Sequence, residues 1–398
     1  MKMRSRIGAA LALLLGTTAM PAFAQKATPG VTDTEIKIGQ TAPFSGPASA
    51  YAKIATAEAA YIKMINDQGG VNGRKINLIQ YDDSYSPPKS IEQVRKLIEQ
   101  DQVAILFQTI GTAPNTAIRK YTNAKKVPNI WLGSGASVMV DPKEYPWSIP
   151  FQPNYRIEGQ MYGEYILKVK GEGAKVCILY QNDDLGRDYV AGIKDALGAK
   201  ADKMIVKALS YETSDPTTDS QIIESKSAGC DVFVQAVTPK FGAMGIRKVA
   251  ELNWHPLHIV DSNGSTVKPV LEAAGFQNAK DVVTAFYLKD ATDPQWKDDP
   301  GMKAFLAWRE KYAPDNAIED ASTWYGYNMA EALVWVLKHA GNDLSRENIM
   351  KVATNMKDVG FTMLLPGVTV STSPEDYRPL KKMRLAQFDG EKYVLMPE

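Results

Sequence analysis

Residues able to do chemistry are few in this chain of 398, and their spacing fits none of the common catalytic sets. There are three histidines: His255, His258 and His339. His255 and His258 stand three apart around Pro256, with no Cys or Glu beside them at metal-ligand spacing. No Gly-x-Ser-x-Gly elbow occurs. Gly133, Ser134 and Gly135 lack the third glycine of a dinucleotide fingerprint. Asp82 with Asp83, and Asp183 with Asp184, each follow a different apolar strand, which makes them caps or hinge contacts rather than a catalytic pair. What remains is a set of short segments rich in Gly, Ser and Thr. Such segments present backbone N–H groups and hydroxyls, and a following helix adds its positive dipole end. Together these hold a carboxylate or another small anion without an arginine. Any single Ser or Thr of this kind serves as a plain helix cap just as well, so the weight rests on several converging. The expected chemistry is binding, without catalysis, cofactor or metal.

The elements that must position these segments follow one grammar twice. Apolar strands are expected at residues 36–40, 75–81, 103–107 and 127–132, with helices at 53–68, at 88–100 and up to 125. The second stretch has strands at 175–180, 204–209, 231–236 and 257–260, and helices at 187–197, 218–228 and 241–253. Near-continuous apolar strands alternating with amphipathic helices mean parallel sheet covered on both faces. The fold class is therefore α/β, with two doubly wound parallel-sheet lobes. Pro150 and Pro153 make the join between them short and stiff. A strand at 282–286 and helices at 303–312 and 322–340 follow, and part of this must return to the first lobe, which gives a multi-crossing hinge. Lobe one is expected over 35–152 plus 287–368, and lobe two over 153–286 plus 369–398. Ligands of open α/β sheets sit at the carboxyl ends of strands. Segments 41–51, 109–112 and 133–137 should then face segments 183–185, 238–240 and 261–265.

Lys2, Arg4 and Arg6 precede an apolar run, then Pro21 and the small-x-small pattern Ala22, Phe23, Ala24. This reads as a secretory signal peptide over 1–24, cut after Ala24, and places the mature protein in the periplasm. No Cys follows the cut to carry a lipid. With 46 basic and 45 acidic residues, the chain offers no electrostatic case for nucleic acid. Cys177 and Cys230 are either a disulfide or two buried small hydrophobes.

A set of short pieces in fixed order carries a resemblance. Ile36, Lys37, Ile38 and Gly39 lead to Ser45, Gly46 and Pro47. Ile65 and Asn66 precede Gly69, Gly70, Val71, Asn72, Gly73 and Arg74, and Tyr81, Asp82 and Asp83 follow. Tyr180, Gln181, Asn182 and Asp183 precede Leu185 and Gly186, and Arg247 comes before Asn253 and Trp254. The chain resembles type I periplasmic solute-binding proteins, those similar to leucine/isoleucine/valine-binding proteins of ABC importers, over nearly all of its mature length. The resemblance implies a monomeric receptor that closes two lobes on a small solute and presents it to permease subunits in the inner membrane. It implies that Thr109, Ile110, Gly111 and Thr112, with Gly133, Ser134 and Gly135, grip the ligand carboxylate, and that Tyr51 packs on the ligand. Two tyrosines of the family fall on Leu185 and Thr238. The family's ammonium partner falls on Ser262, with Asp261 one residue earlier. A branched-chain amino acid or a similar small amphipathic carboxylate is the expected ligand. An aromatic or short aliphatic acid without an amino group is the alternative, and presentation to a membrane signalling receptor is the alternative of another class.

Overall fold

The computed structural model describes residues 28–397; the leader read at 1–24 lies outside them. The chain runs β1 (Glu35–Ala42), α1 (Ala52–Asp67), β2 (Lys75–Asp82), α2 (Pro87–Glu99), β3 (Ile105–Phe107), α3 (Thr112–Ala124), β4 (Asn129–Leu132) and β5 (Ser148–Pro150). These five strands form one parallel sheet in the order β2-β1-β3-β4-β5. β3, β4 and β5 are buried at every position, as strands covered on both faces must be.

The second lobe starts with α4 (Tyr155–Lys170), β6 (Val176–Gln181), α5 (Asp184–Leu197), α6 (Ala201–Met204), β7 (Ile205–Tyr211) and α7 (Asp219–Ser227). It continues through β8 (Val232–Ala236), α8 (Pro239–Glu251), β9 (Leu257–Val260), α9 (Phe276–Ala279) and β10 (Val283–Phe286). The element ends carry their own signals. Asn154 caps α4 by accepting from the Ile157 N–H, and Asp183 caps α5 by accepting from Leu185 and Gly186. Pro87 and Pro239 open α2 and α8, where no N–H is needed. Cys177 at the start of β6 and Cys230 just before β8 are joined as a disulfide, with Cα atoms 5.8 Å apart.

The chain then returns to lobe one. α10 (Pro300–Tyr312), α11 (Ala321–Ala340) and α12 (Arg346–Ala353) complete its core, which joins Ile38, Ile62 and Phe107 to Phe305, Trp324 and Leu333. α11 lies so close along α1 that a side chain at Gly326 would meet the Ile54 carbonyl at 2.6 Å. β11 (Arg384–Phe388) and β12 (Tyr393–Leu395) finally cross back and extend the second sheet, whose order is β12-β11-β10-β9-β8-β6-β7. They pair antiparallel, so that sheet has an antiparallel edge on an otherwise parallel body. The return falls later than the expected boundary after 368: Val370, Tyr377 and Leu380 still pack in the lobe-one core. The chain thus crosses between lobes three times, near 150–155, after β10 and before β11.

Candidate functional site: the cleft between the lobes

The carboxyl ends of both sheets face a common cleft with two connected compartments, which share Tyr51, Ile54, Gln152, Asn263 and Tyr325 in their walls. The smaller holds about 340 Å³ of empty space and touches the segments after β3 and β4. The larger holds about 700 Å³ counting its mouth, and lies along the crossing after β10. It is mostly apolar, with Val267, Phe286, Leu288 and Trp324 in its wall.

Of the residues expected from sequence, Tyr51, Ile110, Gly111, Thr112, Gly133 and Leu185 line the smaller compartment, while Ser262 and again Tyr51 line the larger. The others stand behind them. The Thr109 hydroxyl donates to Asn115 Oδ1 at 2.6 Å and accepts from Asn129 Nδ2 at 2.8 Å, so it braces the segment from beneath. Gly111 N–H donates to the Gly133 carbonyl and Gly133 N–H to that of Thr109, so these two amides zip the segments together and are not free for a ligand. Ser134 is fully buried and meets the Thr112 hydroxyl at 2.8 Å. Gly135 lets the Pro153 carbonyl approach where a Cβ would stand. Thr238 stands just before α8, with its N–H on the Tyr211 hydroxyl.

Lobe two differs from expectation most at Asp261. Its side chain is fully buried and absent from both walls; it accepts from the Val237 N–H at 2.9 Å and from Asn263 Nδ2 at 3.1 Å. Burial, with the nearby Glu158 charge second, pushes its carboxyl well above the usual range. Ser262 does reach the wall, but its N–H and hydroxyl both donate to Glu158, at 2.8 and 2.9 Å. Glu158 is itself buried and also accepts from the Tyr162 hydroxyl at 2.6 Å. Among the described residues, no Asp, Glu, Lys, Arg or His lines either compartment.

Sequence reasoning missed Tyr85, Gln108, Gln152 and Tyr155 in the smaller compartment, and Tyr325, which reaches it from α11; Asn263 also lines it, from within the expected segment 261–265. Tyr155 donates its hydroxyl to Gln152 Oε1 at 2.7 Å, and Gln152 in turn reaches Asn263 across the join at 3.3 Å. The lobes also touch beside the cleft: the Thr116 hydroxyl donates to Asp184 at 3.0 Å and the Ser137 N–H to Asp188. No helix among the described residues is long and apolar enough to cross a membrane, and no group of three or more His, Cys, Asp or Glu could hold a metal ion.

A family model described as periplasmic binding protein matches the chain over residues 35–392, which take in both lobes and all three crossings. The chain belongs to that family. Among its relatives, this periplasmic binding protein is 27% identical to the Leu/Ile/Val-binding protein homolog 7 of Brucella suis, over 70% of the chain and 71% of the relative. A branched-chain amino acid ABC transporter structure from Thermus thermophilus with bound valine superposes with a TM-score of 0.81. It is 18% identical, with 92% of this chain and 97% of that one covered. A fatty acid ABC transporter substrate-binding protein from Thermomonospora curvata gives 0.76 at 19% identity, with 93% of each covered. These structures establish a type I periplasmic binding protein fold for this binding protein.

Proposed function

We propose that this binding protein is the solute receptor of an ABC importer, not an enzyme, and that its ligand is a small apolar monocarboxylate without an amino group. The observation that carries this is the wall chemistry. A bound ammonium needs a carboxylate, because an unpaired buried charge is costly. Asp261, one residue from the position expected for that role, and Glu158, which accepts from Ser262 at that position, are both buried behind the wall with their oxygens occupied. A carboxylate, by contrast, finds the start of α3. Thr112 and Ser134 hydroxyls meet there, and the Thr112 and Ala113 amides begin the helix with no carbonyl among the described residues to accept them. The apolar compartment beside it suits an aromatic or branched aliphatic body.

The relatives carry both ligand classes in their names, valine in one and fatty acid in the other. The resemblance to branched-chain amino acid receptors keeps leucine or valine as the second reading. Thermal-shift and calorimetric titration of the purified chain separates the two, with phenylacetate, isocaproate, hexanoate, leucine and valine as probes. A ligand near 1,000 times its Kd adds about 4 kcal/mol to the native state, a rise of several degrees. The acids should raise the melting temperature and the amino acids leave it in place. A rise with leucine or valine alone would discard the proposal.

A further inference from the structure

Two residues of the cleft carry a buried side-chain oxygen without a partner among the described residues, Thr266 in the larger compartment and Gln108 in the smaller, and Gln108 stands beside the segments after β3 and β4. It directly follows β3 with a backbone φ of +44°, a left-handed conformation that a side-chain-bearing residue adopts at a cost and that gathers at functional sites. Its side chain is fully buried and lines the smaller compartment. The backbone carbonyl accepts from Gln40 Nε2 at 3.1 Å, and the side-chain Nε2 donates to the Tyr325 hydroxyl at 3.0 Å. Its Oε1 has no donor among the described residues. That oxygen stands where a Cβ on residue 133 would sit, 2.4 Å away, so Gly133 keeps its place open. Tyr325, which lines the same compartment, accepts from Gln108 and retains its own O–H to donate.

Side by side, these two groups offer one acceptor and one donor. A carbonyl would answer only the donor. An ammonium would answer the acceptor but bring a charge that no wall residue neutralises. A hydroxyl answers both. We propose that Gln108, with Tyr325, reads a hydroxyl group on the ligand, so that the preferred solute is a hydroxylated monocarboxylate. This rests on the carboxylate reading above and narrows it. A site built to pair a substrate hydroxyl rejects the analogue that lacks it, because its own polar groups are then stranded.

The test is isothermal titration with matched pairs: phenylacetate against mandelate and para-hydroxyphenylacetate, and isocaproate against leucic acid, with leucine alongside. At least one hydroxylated member should bind about tenfold or more tighter than its parent. In Gln108→Met, an apolar side chain of similar length, that ratio should fall to about one, whatever the absolute affinity. Tyr325→Phe removes a single oxygen and should lower the ratio as well, which keeps the test open if Gln108→Met does not fold. Equal binding of hydroxylated and parent acids by the wild type overturns the hydroxyl proposal and leaves the carboxylate reading standing. So does a ratio unchanged in both variants, since a purely structural Gln108 would weaken all acids alike. Binding of leucine with no acid bound overturns the carboxylate reading and this proposal with it.

Discussion

Tyr51 touches both compartments, from a short turn just ahead of α1, and packs against the lobe-one core. Truncating it removes a large apolar contact worth about 1–3 kcal/mol. Tyr51→Ala should therefore weaken phenylacetate about tenfold to a hundredfold by calorimetry, with the far-ultraviolet spectrum unchanged; equal affinity would remove Tyr51 from the site. Tyr51 was legible because it follows a strand end and a turn-rich run. Thr112 and Leu185 were legible for the same reason, standing in the first turns of helices that start at the cleft. Gln108 was not, since nothing local announces a left-handed residue that turns a strand end into the wall. Tyr325 was hidden differently: it sits in a helix that is buried at most positions, and only the return of the chain brings it to the cleft. Asp261 misled because its position after β9 fits a ligand carboxylate, while its side chain turns back to cap the Val237 N–H.

At the level of elements, the start of α3 depends on a glycine. Gly111 has φ +107°, and a Cβ there would meet the Tyr85 ring at 2.3 Å. Gly111→Ala should displace Tyr85 from the wall, cutting ligand affinity by tenfold or more and lowering stability by about 1–3 kcal/mol. A variant that binds and melts like wild type would show that the segment has slack the structure does not suggest. β9 carries a second dependence. His258 is buried on it, with Nε2 on Gln235 Oε1 at 2.7 Å, and burial pulls its imidazole from 6.5 down to about 3. The unfolded chain takes up this proton first. The neutral histidine's contribution is thus complete above about 6.5 and lost as pH falls toward about 3. Buried acids such as Asp183, pushed up to about 6 by burial, act in the opposite sense, so a difference between variants is the clean readout. His258→Gln should lose less melting temperature than wild type between pH 7 and about pH 4; parallel curves would contradict the assignment. Strand and helix positions were largely legible, because apolar runs and Pro, Asn and Asp at helix starts mark them. α4 was not, since no element was expected between the join and the strand at 175, and β11 and β12 were not, since the pairing of β11 with β10 and of β12 with β11 is set only once the third crossing is made.

At the level of the whole molecule, the sequence made two lobes and a several-fold hinge visible, but not where the last crossing falls. Val370 is tied by isolated bridges to Val359 and to Leu380, and such non-periodic packing leaves no pattern to read. The disulfide lies wholly within lobe two, at the strand ends away from the cleft. It links residues 53 apart, and closing a loop of that size in the unfolded chain stabilises by about 4 kcal/mol. Cys177→Ala with Cys230→Ala should lower the melting temperature of lobe two clearly while leaving ligand affinity within about twofold; a matching loss of affinity would mean that the bridge shapes the cleft.

The return of α10, α11 and α12 to lobe one also sets a timetable. β1 emerges early in synthesis, yet the helix that lies along α1 emerges close to the end, roughly 15–60 s later at ordinary translation speeds. The parallel body of lobe two, continuous from α4 to β10, is made in between, and only its antiparallel edge, β11 and β12, comes last. The parallel body of the younger lobe can therefore form first, and the older lobe waits with its apolar strands uncovered until its returning helices are made. For a nascent chain, the gap between those two moments is the interval in which it is most open to chaperones, to export machinery and to aggregation.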